Sequence, residues 1–448
     1  MSLLLLLLAC ATPTDPGPAP APARPDIVLI VLDTLSADHL RQYGYALHTS
    51  LGIQPFTAQA TRFDNALAPS SWTVPSTATL LTGQHPLRHR LRTSGDVLPA
   101  TALTLAERLA AAGWTTAGFS HNIHISPRRG FDQGFAGFVV PEGKVLAYPH
   151  AARMITQVQA VLDAHPAEPL FLYLQPMNCH GPYRVPEARR SDLLGRPPRS
   201  EFRYYDDLMR SVLAGGAETP SEAYRTSLQE TYDTAVRYTL DEVGGLLDHL
   251  RAVGRYDNAL IILTADHGEE LLEHGGFSHG YSLHREVLHV PLFIKLPGQT
   301  VPTVVSPAVT LADVVPTVLE AVGVPTEGVL DGISLVPAMR GEPLAPRNLI
   351  ADVGWKRRCV ALALQTAGWK LITIAQDYRG RADEDLLYDV VADVHERHNL
   401  AAERPELVVE LKATLSEEVA RLASGSAEPA QDTTDMTTAQ LEALGYAE

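Results

Sequence analysis

The sequence predicts an α/β fold. A mostly parallel central sheet is sandwiched by helices, and a small α+β C-terminal subdomain follows. Three observations carry this. Short apolar, β-branched runs alternate with helical segments along most of the chain, the pattern of repeated βα units. The runs are apolar throughout rather than alternating in polarity, as strands buried on both faces require. After about Pro346 strands follow one another closely, which predicts a change of architecture.

Residues 26–32 read as the first buried strand, which ends on Asp33-Thr34. Residues 73–83 read as a helix, with Thr73 near its N-cap, Pro75 in the first turn and Gly83 as the stop. Residues 103–112 form an amphipathic helix stopped at Gly113, and strand 115–119 runs into Ser120-His121-Asn122. Helix 155–164 and strand 170–175 follow, leading to Asn178-Cys179-His180-Gly181. Residues 187–220 are polar and broken by Pro and Gly, a surface excursion. In the long helix 221–253, Leu228, Ala235, Val236, Val243, Leu246, Leu247 and Leu250 form one stripe, and Gly254 ends it. Leu260 opens the next buried strand, which stops on Asp266-His267-Gly268, with His274 and His279 in the loop beyond. Strand 290–296 and helix 311–322 complete a main domain of residues 26–345. Residues 346–422 carry close-spaced strands at 360–364 and 370–374 and a closing helix at 405–422, and 423–448 is a polar tail.

The chain has 448 residues, 45% hydrophobic and 20% charged, a globular composition. Its net charge of −16, from 36 basic and 52 acidic residues, argues against a nucleic-acid partner. An anionic substrate would then need positive charge from a metal or a helix end. Three cysteines, Cys10, Cys179 and Cys359, make neither a disulfide framework nor a zinc cluster. Spacing does not settle whether Cys179 and Cys359 pair, and two free thiols is the simpler reading.

Residues 1–10, Met-Ser-Leu-Leu-Leu-Leu-Leu-Leu-Ala-Cys, are too short to span a bilayer as a helix but have the apolar core of a secretion signal. Leu-Leu-Ala-Cys resembles a bacterial lipobox, which implies a lipid anchor on Cys10, although the basic segment that normally precedes the core is missing. The Pro/Ala-rich residues 11–25 suit a tether. Together these predict an exported, membrane-anchored lipoprotein, periplasmic or at the cell surface.

Asp33 and Asp266 both stand just past the carboxyl ends of predicted parallel strands, where open α/β sheets place their ligand sites. With His267 they offer a mixed oxygen and nitrogen set for one divalent metal ion. Thr73, at a helix N-terminus, adds a hydroxyl that can serve as ligand and as nucleophile of a covalent phospho- or sulfo-enzyme. Read alone, Thr73 is first of all an ordinary cap residue. His180 and His279 lie on the same predicted face and suit proton transfer or contact with a substrate oxygen. His121 and Asn122 are candidates for substrate binding.

The order of short motifs resembles the sulfatase family of the alkaline phosphatase superfamily, over nearly the whole chain from Pro25. Residues 25–34, Pro-Asp-Ile-Val-Leu-Ile-Val-Leu-Asp-Thr, resemble that family's opening metal strand. Arg62-Phe63-Asp64-Asn65-Ala66 and Thr82-Gly83-Gln84-His85-Pro86 flank the nucleophile segment as they do there. Tyr232-Asp233 through Tyr256-Asp257-Asn258 is similar to the long helix before the second metal strand. Asp266-His267-Gly268-Glu269, His279-Gly280 and Val290-Pro291-Leu292 match the second metal motif, and Leu387-Tyr388-Asp389 and His398-Asn399-Leu400 the C-terminal subdomain.

The departures bear on chemistry. Formylglycine sulfatases carry Cys or Ser, any residue, Pro, Ser, Arg; here the segment is Thr73-Val74-Pro75-Ser76-Thr77. Threonine cannot be oxidised to an aldehyde. The Arg is replaced by Thr77, the family's second Asp by Thr34, and a later Lys by His279. Arg128 or Arg129 would restore a cation only if their loop folds into the site. Asp33, Thr73, Asp266 and His267 are closer to threonine-nucleophile relatives such as the lipoteichoic acid synthases and phosphoethanolamine transferases. The resemblance therefore implies a metal-dependent, sulfatase-like hydrolase of sulfate or phosphate esters or diesters, with calcium, manganese and zinc not distinguished. The alternatives are a phospho-group transferase with the same intermediate and an inactive sulfatase-fold binding lipoprotein.

Overall fold

A computed structural model describes residues 24–141, 151–199, 220–354, 360–377, 381–424 and 430–431. The strands of the main sheet are β1 (Ile27–Val31), β2 (Thr61–Phe63), β3 (Thr115–Ser120), β4 (Gly137–Val139), β5 (Leu170–Gln175), β6 (Leu260–Thr264), β7 (Leu292–Lys295) and β8 (Thr303–Val305). Their order is β8-β2-β7-β6-β1-β5-β3-β4. Strands β6, β1, β5, β3 and β4 run parallel, and β7 is antiparallel to both its neighbours. Every residue of β1, β5 and β6 is buried, which explains why these runs lack polar alternation.

Helices flank the sheet: α1 (Thr73–Thr82), α2 (Leu105–Ala111), α3 (Ala151–Ala164), α4 (Glu222–Ala252) and α5 (Val314–Val322). Local chemistry fixes their ends. Thr104 and Glu107 form a reciprocal capping box at α2, and the Ser221 hydroxyl accepts the Tyr224 N–H at the start of α4. The stripe read from the sequence of α4, from Leu228 to Leu250, is buried throughout.

The C-terminal part is a four-stranded antiparallel sheet in the order β9 (Leu349–Val353), β10 (Val360–Gln365), β11 (Trp369–Gln376), β12 (Glu384–Asp389). Helix α6 (Pro405–Ala423) covers it, burying Val408, Leu411, Leu415 and Leu422 against Leu364, Leu371 and Leu387.

Three differences from the sequence reading have physical causes. The segment predicted as strand 290–296 divides: His289–Val290 pairs with a separate three-stranded sheet, and only Leu292–Lys295 joins the main one. It joins antiparallel because the chain between β6 and β7 is spent on the site loop and a two-stranded ribbon, Glu270–Leu271 with Phe277–Ser278, rather than on a crossover helix. The three-residue strands β2, β4 and β8 are too short for a run of apolar residues to announce them, and β4 and β8 are largely exposed. The predicted signal with Cys10, nearly all of the spacer, Cys359, residues 200–219 of the excursion and most of the tail lie outside the described residues. Cys179 is a buried free thiol. Among the described residues no helix is long and apolar enough to cross a membrane.

Adjacent glycines in α4 separate two roles. A Cβ on Gly244 would lie 2.3 Å from the backbone oxygen of Gly52, whereas one on Gly245 meets nothing within 4 Å. Gly244→Ala should therefore destabilise the protein by about 1–3 kcal/mol through overpacking. Gly245→Ala should stabilise it by about 0.5–1 kcal/mol. Urea unfolding midpoints of the two variants check this, and equal shifts would contradict the packing.

Candidate active site

The register of two strands builds the site. Strands β1 and β6 are neighbours, with Val31 opposite Thr264. Asp33 and Asp266 each stand two residues beyond that pair, so both carboxylates emerge side by side at the carboxyl edge of the sheet. On the other side of β1, strand β5 ends on Gln175, and β3, paired with it through Ser120, brings Asn122 over the same edge. Gln175 Nε2 donates to Asp33 Oδ2 at 3.2 Å and to Asp266 Oδ2 at 3.4 Å. Asn122 Nδ2 donates to Asp33 Oδ2 at 2.7 Å and reaches Thr73 Oγ1 at 3.4 Å.

Thr73 is the first residue of α1 rather than its cap. Trp72 takes the cap position without a side-chain cap bond, so the Thr73 hydroxyl is left to the site. It sits where the helix directs its unpaired N–H groups and positive end. Thr73 Oγ1 is 3.2 Å from His267 Nε2. His267 Nδ1–H donates to the Gly268 carbonyl at 2.9 Å, which makes Nε2 the lone-pair nitrogen. Gly268 lets this loop close, since a Cβ there would lie 2.0 Å from the Glu286 carbonyl oxygen.

A second wall is made of imidazoles. The His279 ring lies 4.6 Å from His267 and 4.8 Å from His180. His279 Nδ1 pairs with Glu269 Oε1 at 2.9 Å, and Thr34 Oγ1 lies 2.8 Å from Glu269 Oε2. His180 Nδ1–H donates to the Gly181 carbonyl at 2.7 Å. His121 is buried beside Asn122, its backbone N–H on the Gln175 carbonyl. Arg128 is exposed and Arg129 buried on the turn Pro127–Arg129.

The structure thus brings Asp33, Thr73, Asp266, His267, Asn122, His180 and His279 to one edge. Sequence reasoning passed over Gln175 and named Glu269 only as part of the Asp-His-Gly-Glu motif, without a role of its own. Gln175 is a polar residue closing an apolar strand next to β1, and Glu269 completes Asp-His-Gly-Glu; both signals were available.

Burial sets the electrostatics. It pushes the Asp33 carboxyl up to about 7, with the Asp266 charge adding to the rise. Burial likewise takes Asp266 up to about 7 and raises Glu269. Burial depresses His267 to about 4 and His279 to about 3, and lowers His180, so these imidazoles are neutral near pH 7. Among the described residues, none of the hydrogen-bond partners of Asp33, Thr73, Asp266 and His267 is a lysine or arginine.

These residues fit a divalent cation. Asp33, Asp266 and His267 offer ligand atoms within 4.8 Å of one another. Among the described residues Asp33 Oδ1 is buried without a hydrogen-bond partner, and the two adjacent buried carboxylates lack a lysine or arginine partner that would keep both ionised.

Comparison with known proteins identifies the family. The family profile described as Sulfatase matches residues 25–324, and one described as N-sulphoglucosamine sulphohydrolase, C-terminal, matches residues 272–424. The chain belongs to the sulfatase family. It is similar to arylsulfatase A of Bos taurus, 27% identical over 371 residues that cover 73% of this chain and 70% of that protein. It is 31% identical to arylsulfatase K of Bos taurus over 182 residues, 39% of this chain; that match spans only 33% of the relative. The fold matches the phosphonate monoester hydrolase of Agrobacterium radiobacter with a TM-score of 0.73 at 20% identity, covering 89% of this chain and 96% of that one.

A carboxyl whose native pKa lies above its unfolded value holds more protons when folded, so its contribution to stability weakens as pH rises between the two values. For Asp33 and Asp266 that window runs from 3.8 to about 7. Chelator-treated protein should therefore lose thermal stability across that window, Asp33→Asn should flatten the loss, and added manganese, calcium or zinc should restore it at pH 7. A melting temperature unresponsive to chelation and to all three cations would contradict the site.

Proposed function

We propose that this chain is a metal-dependent hydrolase of sulfate or phosphate-type esters that works through a covalent adduct on Thr73. The observation that carries this is the placing of the Thr73 hydroxyl: on the first turn of α1, 3.2 Å from His267 Nε2 and within 3.4 Å of Asn122. Family membership and the names of the relatives support ester hydrolysis.

Asp33, Asp266, His267 and Thr73 would hold the cation. When bound, it supplies the positive charge that polarises the ester oxygens and acidifies the Thr73 hydroxyl. Thr73 Oγ1 bonds to the sulfur or phosphorus as the bond to the leaving oxygen breaks. The proton lost by Thr73 passes through an imidazole to that leaving oxygen. His279, beside His267, and His180, beside His279, are the carriers, with Glu269 and the Gly181 carbonyl orienting their rings through Nδ1–H. Asn122 donates to Oγ1 and holds it on line. Water then attacks the adduct, the bond to Oγ1 breaks, and the water's proton returns to Thr73. The acid product is released with the hydroxyl restored.

The scarcity of lysine and arginine partners favours a monoanionic group, meaning a sulfate ester, phosphodiester or phosphonate monoester, over a phosphomonoester dianion. On the signal pattern alone, we place the enzyme outside the cytoplasm, anchored through Cys10.

Esters of these classes, assayed with added manganese, calcium or zinc, should reveal turnover that Thr73→Ala lowers by about 10³-fold or more. Activity at wild-type level in Thr73→Ala would remove the nucleophile assignment. Glu269→Gln should lower kcat with little change in KM, by about 10-fold or more, because it loosens the orientation of His279. A purely structural Glu269 would instead show lost stability and unchanged kcat in the folded fraction.

A further inference from the structure

We propose that Tyr173 is a positioning residue for the cation centre, acting through the Gln175 amide to keep Asp33 Oδ1 available as a ligand oxygen. This role rests on the reading of Asp33, Asp266 and His267 as a cation site and uses nothing of the chemistry at Thr73.

Tyr173 is wholly buried in β5, two residues before Gln175, so both side chains point to the same face of the sheet. Ser120, the last residue of β3, is paired with Gln175 across the strands. An amide has a donor end and an acceptor end, whereas an ionised carboxylate only accepts. Gln175 therefore serves Asp33 and Asp266 only with Nε2 toward them, and its Oε1 must be satisfied on the far side. Tyr173 does this, its hydroxyl donating to Gln175 Oε1 at 2.8 Å. The Ser120 hydroxyl also reaches Oε1 at 3.3 Å, but it lies 3.3 Å from the Asn122 carbonyl as well and accepts the Asn122 N–H at 3.1 Å. Ser120 has one proton for two acceptors, so Tyr173 is the donor that fixes which way the amide faces.

The direction matters because of the oxygen it leaves over. Gln175 Nε2 and Asn122 Nδ2 both end on Asp33 Oδ2, at 3.2 and 2.7 Å. Asn122 is held the same way round, since its Oδ1 accepts the His124 backbone N–H at 2.9 Å. Two oriented amides on one oxygen fix the rotation of the carboxylate. They leave Oδ1, which is buried and has no hydrogen-bond partner among the described residues, for the cation. Without the Tyr173 hydroxyl, the Gln175 oxygen keeps only a shared donor, and the amide is free to turn that oxygen against two carboxylates. The competing explanation is that Gln175 only satisfies a buried tyrosine, with no consequence for the ion.

Cation affinity separates the two. Tyr173→Phe removes one oxygen and keeps the ring, which packs beside Phe135 and Phe138. Full-length protein is titrated calorimetrically with manganese, calcium and zinc, and the variants with whichever of the three binds tightest. Tyr173→Phe and Gln175→Met should each weaken that binding by about 10-fold or more, as loss of an outer partner of a metal-binding carboxylate does, while circular dichroism stays unchanged. Adding Tyr173→Phe to Gln175→Met should cause no further loss, because the tyrosine acts through the amide. Equal affinity in the unsubstituted protein and Tyr173→Phe would overturn the proposal, and so would additive losses in the double variant. Should Gln175→Met not fold, the affinity of Tyr173→Phe decides alone. Unsubstituted protein that binds none of the three cations would remove the cation site and this role with it, which tells that failure apart from failure of the positioning.

Discussion

Two carboxylates forced into one dry place govern this molecule. Val31 and Thr264 are paired across β1 and β6, so Asp33 and Asp266 have no choice but to meet at the sheet edge. Neither has a lysine or arginine partner among the described residues. Gln175 spans them with its amide, Asn122 donates to the same Oδ2 of Asp33, and the positive end of α1 faces them. Those neutral donors and partial charges ease the like-charge repulsion without cancelling it, and burial still raises both carboxyls to about 7. A divalent cation is the species that would let both ionise together.

The same economy of charge distinguishes this site from what the family resemblance implies for formylglycine enzymes. Where those are expected to carry fixed cations, this chain has Thr77, Thr34 and His279. Its imidazoles are buried enough to be neutral, which suits them to carry a proton between oxygens and unsuits them to neutralise a dianion. Glu269 gives His279 a fixed orientation in the way an acid orients the histidine of a hydrolytic triad. Thr73 then has a hydroxyl supplied with a helix end, a neighbouring lone pair and an amide donor at once.

Much of this was legible in the sequence because the site lies at the ends of strands that announce themselves. Long, wholly apolar runs place β1, β5 and β6 to within a residue or two, and a polar residue immediately after such a run can only lie at the sheet edge. That logic finds Asp33, Asp266 and His267 and would have found Gln175. Interactions between elements distant in sequence were not legible. Nothing in the spacing shows that Glu269 faces His279, that Asn122 bridges Asp33 and Thr73, or that His274 turns away toward Glu286 and Glu396. Short edge strands such as β4 and β8 were missed because three largely exposed residues carry no periodicity. The direction of β7 depended on how the preceding loop is used, which propensity does not encode.

The most direct test is intact-protein and peptide mass spectrometry of full-length protein quenched during turnover of a sulfate ester or phosphodiester in the presence of divalent metal. A sulfuryl or phosphoryl adduct on the peptide containing Thr73, localised to that residue and absent from Thr73→Ala, is the predicted result. Turnover that proceeds with Thr73 unmodified, and with an adduct on another residue or none in rapid-quench samples, would contradict a covalent mechanism at Thr73.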